Sequence, residues 1–278
     1  MIDNKMFSGL DRDIKTGLIQ QLAIVWTYDS NAIEGNTLTL GETDFLIREG
    51  MLVTNRPLED CMETKCHYDA IKFLYSKMYE KAGDLTADDI KNLHKVMMPS
   101  SFDDNKVIGD WKSTPNATYI NYQDQPVMLL YPLPREIPAL MDTFIQHINR
   151  KIESPDDALD MYCLLHLEFV SIHPFSDGNG RMARLLANIP LMRCGELPII
   201  IPSSQRQRYI KIISSAQQTI PVEEKNGKPL RKMVVPDKFD IAQFKAFCIE
   251  QRKVVMDLVD EARRFQELRN KSSKSPKI

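Results

Sequence analysis

Apolar residues recur at helical spacing along most of the chain. Ile19, Leu22, Ala23 and Trp26 share one face of a helix that Gly35 is suited to stop. Thr86, with Asp89 three residues on, caps a helix carrying Ile90, Leu93 and Met97 on its core side. Ser154 as N-cap, Pro155 at the first helical position and Asp157 reaching back start another. Its apolar positions are Leu159, Tyr162, Cys163, His166, Phe169 and Val170. Pro174 and the run Ser176 to Gly180 stop that helix, and a new one starts near Arg181 with Leu185, Leu186 and Ile189 inward. Pro190 removes a bond to the Leu186 carbonyl at a cost of about 3 kcal/mol in a regular helix, which predicts a kink. Phe244, Phe247, Val255, Leu258, Val259, Ala262 and Phe265 trace a long amphipathic helix, expected to pack on its own core.

Strand signals are few. Ala117 to Ile120 and Val127 to Leu130 flank a polar turn from Asn121 to Gln125 and predict one small β-hairpin. The charged stretch Glu223 to Asp237, with Asn226-Gly227 as a turn signal, is expected to be an exposed loop or a small hairpin. The tail Lys271 to Lys277 has a disordered composition. The fold class is mainly α, a helical core with a small β-hairpin, and there is no internal repeat.

The chain has 278 residues, 43% hydrophobic and 27% charged, enough for a substantial single core with appendages. A formal net charge of -2 gives no basic face for nucleic acid. No basic-then-apolar leader and no long apolar run appear, so no membrane role is expected. Five cysteines at irregular spacing predict reduced thiols and a cytoplasmic location. Cys61 and Cys66 lack the companions of a zinc site.

Candidate chemistry is concentrated between His173 and Arg184, in the order His-Pro-Phe-Ser-Asp-Gly-Asn-Gly-Arg-Met-Ala-Arg. The turn lies at a helix N-terminus, where free N–H groups and the positive dipole end suit an anion. Gly178 and Gly180 let the backbone come close to a phosphate. Arg181 and Arg184, three apart, share a helix face and oppose the dipole unless an anion sits there. Asp177 offers a hard oxygen to Mg2+, and His173 is a suitable base for a hydroxyl proton. These parts fit phosphoryl or nucleotidyl transfer.

A second segment, Ser30-Asn31-Ala32-Ile33-Glu34-Gly35-Asn36, ends the first helix. Ser30 and Glu34 are four apart on one face, and Glu34 at a helix C-terminus calls for a cationic partner.

The run from His173 to Arg184 resembles the Fic family signature, His-x-Phe-x-Asp/Glu-Gly-Asn-Gly-Arg-x-x-Arg, at every defining position. That resemblance implies a protein AMP transferase moving AMP from ATP to a target hydroxyl. It makes His173 the base, Asp177 the Mg2+ ligand, Gly178, Asn179, Gly180 and Arg181 the anion hole for the α- and β-phosphates, and Arg184 the γ-phosphate ligand. Ser30 to Gly35 resembles the family's inhibitory motif, Ser/Thr-x-x-x-Glu-Gly/Asn. It implies a buried Glu34–Arg184 pair, costing about 3–5 kcal/mol to break, that leaves ATP in a non-productive pose. The hairpin resembles the Fic flap, whose edge residues Thr118, Tyr119 and Ile120 would align a target by strand addition.

Pro198 to Pro202 and Arg206 to Tyr209 resemble the segment closing the adenine pocket, with Tyr209 and Gln217 on the adenine side. Ile210 stands where a second Tyr is frequent, Gln217 where an Asn is common, and Lys112 where the family often has Arg. The division that follows is an N-terminal arm with the inhibitory motif over 1–60, a catalytic core over 61–216, and a C-terminal extension over 217–278. The partners implied are ATP and a hydroxyl-bearing target protein, and family habit adds a homodimer. Other readings are removal of AMP with Glu34 orienting a water, transfer of a different group from a changed donor pose, and a non-catalytic nucleotide-binding module. A metallohydrolase built on His166, His173 and Asp177 would leave both arginines unexplained.

Overall fold

A computed structural model describes residues 7–80, 83–99, 107–122, 124–222 and 230–274. The element order is α1 (Arg12–Glu34), α2 (Leu40–Glu49), α3 (Leu58–Glu80), α4 (Ala87–Met97), β1 (Ala117–Tyr122), β2 (Gln125–Leu130), α5 (Ile137–Ile148), α6 (Pro155–Ile172), α7 (Asn179–Leu186), α8 (Ile189–Arg193), α9 (Arg206–Ala216), β3 (Gln218–Val222), β4 (Leu230–Val234) and α10 (Ala242–Lys274). The class is mainly α with one small sheet.

The helix α6 is the axis of the molecule. From Leu165 to Ile172 every residue is buried, polar ones included, because α5, α7, α8 and α10 all pack against it. Its start follows the local code: Ser154 Oγ accepts from the Asp157 N–H at 3.1 Å. Asp157, however, reaches the Glu153 N–H and Arg150 rather than completing a capping box. Thr86 and Asp89 form a full capping box on α4, whose Ile90, Leu93 and Met97 are buried.

In α1, Leu22, Ala23 and Trp26 enter the main core, and Gly35 ends the helix at φ 105°. A boundary at residue 60 therefore falls inside α3, while 216 coincides with the end of α9. Pro190 does more than kink the helix after the turn. The helix breaks into α7 and α8, and Asn188 staples the gap through the Arg184 and Ile199 carbonyls (2.9 and 3.1 Å) and the Ile199 N–H (2.7 Å).

Two expectations are corrected. The hairpin is longer than its alternation suggests and does not stand alone. Its strands run to Tyr122 and from Gln125, and β2 pairs in parallel with β4 through Met128–Leu130 and Leu230–Lys232. With β3 antiparallel to β4, the order is β1-β2-β4-β3. The stretch from Glu223 to Asp237, expected as an exposed loop or small hairpin, supplies β4 while its partner β3 lies ahead of it, and the two complete a four-stranded sheet. Buried Met233 anchors β4; the Asn226-Gly227 turn lies outside the described residues.

The tail is also more ordered than its composition implies. Helix α10 continues to Lys274 because its last turns hold the start of α1: Arg269 pairs with Asp13 at 2.6 Å and Asp11 at 3.2 Å, and Gln266 accepts from the Asp11 N–H at 2.7 Å. Residues 275–278 lie outside the described range. Phe244, Phe247, Val255 and Val259 of α10 are buried, but Phe265 is 58% exposed and leaves the core stripe.

Candidate active site

The turn between α6 and α7 is built by its own side chains. Helix α6 ends on His173, whose N–H donates to Phe169 O at 2.9 Å while its backbone takes the left-handed conformation at φ 53°. That conformation costs a non-glycine residue about 1–2 kcal/mol and throws the chain back toward α7. Phe175 is buried beneath the turn. Asn179 clamps it twice, accepting from the Phe175 N–H at 2.9 Å and donating to the Phe175 carbonyl at 2.8 Å. The Asn179 side chain is thus committed to the loop, and only its backbone N–H remains for an anion. Gly178 sits at φ 74°, where a Cβ would strike Met97 and Met98.

A cavity of about 350 Å3 opens over this turn, lined by His173, Asp177 and Gly178 to Arg181 together with Glu34 and Glu63. The first turn of α7 faces it, with N–H groups that no carbonyl of the same helix can reach. Both arginines of α7 are buried to 3% exposure and both are held by carboxylates from other helices. Arg184 Nη2 donates to Glu34 Oε1 at 2.6 Å and to Ser30 O at 2.8 Å; its Nε donates to Ser30 Oγ at 2.9 Å. Arg181 Nη1 donates to Glu63 Oε1 on α3 at 2.9 Å.

The Glu34–Arg184 pair is not the fully buried one expected. The Glu34 side chain is 41% exposed at the cavity mouth, so the cost of breaking the pair is well below that of a sealed ion pair. Burial on its inner side pushes the Glu34 carboxyl up, but the Arg184 charge and hydrogen bond outweigh this and hold it below the ordinary carboxylate range.

His173 is kept neutral. Burial first, then the Lys112 charge, push its imidazole down to about 4, against the Val170 carbonyl, Asp177 and Glu34. The Val170 carbonyl makes no bond of ordinary geometry with the buried Nδ1, which has no other partner among the described residues. Lys112 is itself pushed down to about 8 by burial, and its Nζ donates to Asn116 Oδ1 at 2.6 Å.

Asp177 is exposed at the cavity, and its Oδ1 accepts from the Gly178 N–H at 2.6 Å. A single hard oxygen beside an anion cradle fits a magnesium ion that arrives with phosphate oxygens. No cluster of three or more His, Cys, Asp or Glu able to hold a metal occurs among the described residues, so His166, His173 and Asp177 do not form one. His166 is buried, and its Nε2 lies 2.8 Å from the Tyr209 hydroxyl.

Tyr209 is 3% exposed and packs under Arg184, whose Nη1 donates to its hydroxyl at 3.4 Å. Gln217 is half-buried at the junction of α9 and β3. Neither belongs to the wall of the cavity described above. Thr118 and Tyr119 are exposed on β1, an edge strand, with Ile120 half-buried.

Sequence patterns missed four side chains. Glu63 lies 118 residues from Arg181 with no local signal. His94, on a helix that reads as plain core, stacks on Phe175 with centroids 3.7 Å apart and planes 3° from parallel. It accepts from the Gly109 N–H at 3.0 Å through Nδ1, so its Nε2–H is the donor to Asp177 O at 3.1 Å. Asn116 and Tyr131, at the roots of the β1–β2 hairpin, touch the turn from the other side.

This architecture has relatives. A Fic domain-containing signaling protein of Bacteroides thetaiotaomicron superposes with a TM-score of 0.75 at 25% identity, over 92% of this chain and 94% of that one. Fic-1 of C. elegans shares the fold, with a TM-score of 0.66 at 24% identity over 96% of this chain and 69% of that chain. In sequence, the protein adenylyltransferase Fic of Nematostella vectensis is 31% identical over 207 residues, 74% of this chain. The protein of the same name in Drosophila melanogaster is 31% identical over 191 residues, 69% of this chain. The chain spans 45% and 37% of the lengths of those two proteins. The Fic/DOC family profile matches residues 84–191, which hold the whole α6–turn–α7 unit, and this part of the chain is a domain of that family.

Proposed function

We propose that this protein transfers AMP from Mg-ATP to a hydroxyl side chain (Tyr, Thr or Ser) of a target protein, itself included, and that Glu34 holds the activity low. One observation carries the reading. A carboxylate bound to Arg184 stands over Gly180 at the N-terminus of α7, in the same cavity as a neutral His173. A helix N-terminus with two arginines is an anion site, and here a carboxylate from α1 takes it in place of a phosphate.

Productive ATP would lay its α- and β-phosphates on the N–H groups of Asn179 to Arg181 and its γ-phosphate on Arg184. Asp177 would hold the magnesium, which when bound neutralises phosphate charge and draws the oxygens into one geometry. His173 takes the proton of the incoming hydroxyl, the oxygen bonds to the α-phosphorus, and the bond to the β-phosphate oxygen breaks to release pyrophosphate. Arg184 cannot serve both Glu34 and the γ-phosphate, which is the physical content of the inhibition. Tyr209 and Gln217 are proposed for the adenine side, and the outer edge of β1 for strand addition by the target.

The family membership and the adenylyltransferase names of the relatives support this reading. The test is to incubate wild type, Glu34→Gly and His173→Ala with Mg2+ and ATP labelled at the α- or the γ-phosphate, with lysate as acceptor. AMP transfer expects α-label on protein, more with Glu34→Gly and none with His173→Ala. Label from the γ position alone, or label unaffected by His173→Ala, overturns it. The exposure of Glu34 favours a second reading, in which its carboxylate orients a water that removes AMP from a modified protein. Release of AMP from pre-labelled protein by wild type, lost in Glu34→Gly, would support that one.

A further inference from the structure

A histidine's outer torsion has a broad, roughly two-fold preference, so an imidazole keeps one plane only where something holds it. In many catalytic sites a hydrogen bond on the second ring nitrogen does so. At His173 the Val170 carbonyl makes no bond of ordinary geometry with the buried Nδ1, and no other partner for that nitrogen occurs among the described residues. With His173 lining the cavity and Nδ1 buried, Nε2 is the nitrogen left to meet a substrate.

What lies against the ring is Tyr131. The two rings stack with centroids 3.8 Å apart and planes 15° from parallel. Tyr131 follows β2 directly and is tied across the hairpin root by its N–H, which donates to Asn116 O at 3.2 Å. Asn116 continues the tie: its Nδ2 donates to Phe175 O at 3.1 Å and its Oδ1 accepts from Lys112 Nζ. The Lys112 N–H donates to Pro174 O at 2.9 Å, and the Lys112 ammonium lies 5.8 Å from the Tyr131 ring centre. The root of the sheet is thereby fastened to residues 173–175 on both sides.

We propose that Tyr131 is a positioning residue for the transfer reaction, stacked on His173 so that the imidazole keeps the plane that aims Nε2 into the cavity. This rests on the AMP-transfer reading above. The stack needs a flat ring and not the phenol, so Phe can replace Tyr131 and a branched aliphatic side chain cannot.

The test uses Glu34→Gly as parent and compares Tyr131→Leu and Tyr131→Phe in it. Tyr131→Leu is expected to lower kcat roughly tenfold or more, since small misplacements of a reacting group are costly, with KM for ATP within about twofold. Tyr131→Phe restores the parent's rate. NMR supplies a readout independent of turnover. The His173 ring protons, assigned against His173→Ala, are expected upfield in the full-length wild type from the facing aromatic ring, shifted back in Tyr131→Leu and retained in Tyr131→Phe. A Leu variant with the parent's kcat, equal losses in Leu and Phe, or unshifted His173 protons in wild type would each overturn the proposal. The last is read in wild type, with His173→Ala serving only to assign the resonances, and so does not depend on a Tyr131 variant folding. If the parent itself transfers no AMP, the reaction reading has failed, and the NMR result still decides whether Tyr131 orients His173.

Discussion

Glu34 occupies the space that a side chain on Gly180 would need. A Cβ at Gly180 would overlap Oε1 of Glu34 and come within 3.3 Å of Arg184 Nη1. The absence of a side chain there lets the Glu34 carboxylate approach the first turn of α7, and under the proposed function a nucleotide phosphate would use the same space. Both occupants depend on the same gap, so removing the carboxylate and filling the gap should have opposite effects.

Gly180→Ala separates the two. It displaces the Glu34 carboxylate, yet the new methyl group stands where phosphate oxygens would lie. Unlike Glu34→Gly, it is expected not to raise AMP transfer, and Glu34→Gly with Gly180→Ala should be slower than Glu34→Gly alone. Incorporation of α-labelled ATP into protein measures this. Activation by Gly180→Ala would show that the cradle is not where phosphate binds.

Ser30 is expected to act as a partial latch. Its hydroxyl accepts from Arg184 Nε and its carbonyl from Nη2, so Ser30→Ala removes one of these bonds and leaves the other. A hydrogen bond to a charged group contributes about 1.5–3 kcal/mol, and the remaining contacts to Glu34 recover part of it. Transfer by Ser30→Ala should fall between wild type and Glu34→Gly. Activity equal to wild type would place the whole restraint on Glu34.

What was legible in the chain was local. The Ser154 and Thr86 caps, the stop at Gly35, the end of α6 before the Pro174 turn and the interruption at Pro190 are all decided within a turn or two of sequence. The Glu34–Arg184 pair spans 150 residues and is legible only because both ends lie in recognisable motifs. Glu63 had no such marker: an acidic residue among Asp60, Glu59 and Lys65 on α3 reads as solvated surface. The parallel pairing of β4 with β2 and the stack of Tyr131 on His173 likewise depend on how distant elements meet. Tyr209 illustrates the reverse limit, since its helix was legible but the direction of its ring, under Arg184 and against Phe244 and Phe247, was not.

Under the proposed function, Glu63 is expected to compete with nucleotide for Arg181. The pair is at 2.9 Å, with Glu63 21% exposed, and Asn36, two residues after Glu34, donates to the same carboxylate at 3.4 Å. In the Glu34→Gly background, Glu63→Gln frees Arg181 from a charged partner. A partly exposed pair contributes up to about 1 kcal/mol, so KM for ATP should fall by roughly threefold to fivefold with a smaller change in kcat. An unchanged or raised KM in an ATP titration would mean that Glu63 orients Arg181 for ATP instead of restraining it.

Acid should loosen the same region. His67, His94 and His166 are buried to 0%, 1% and 0% exposure. Burial pushes His94 down to about 4, His166 to about 3 and His67 well below the usual histidine range. The charges of Arg181 and Arg184 add to the effect at His67, that of Arg184 at His166 and that of Arg181 at His94. Their folded values lie below the unfolded value of about 6.5, so the unfolded chain binds more protons once pH drops under that value. The stability they confer is complete above about pH 6.5 and is lost as pH falls toward their folded values, at up to about 1.4 kcal/mol per pH unit for each. Urea midpoints should therefore fall between about pH 7 and about pH 5, and His166→Gln should flatten the slope by one proton's worth. A midpoint constant over that interval would show that these rings are protonated in the fold, which two neighbouring guanidinium groups make unfavourable.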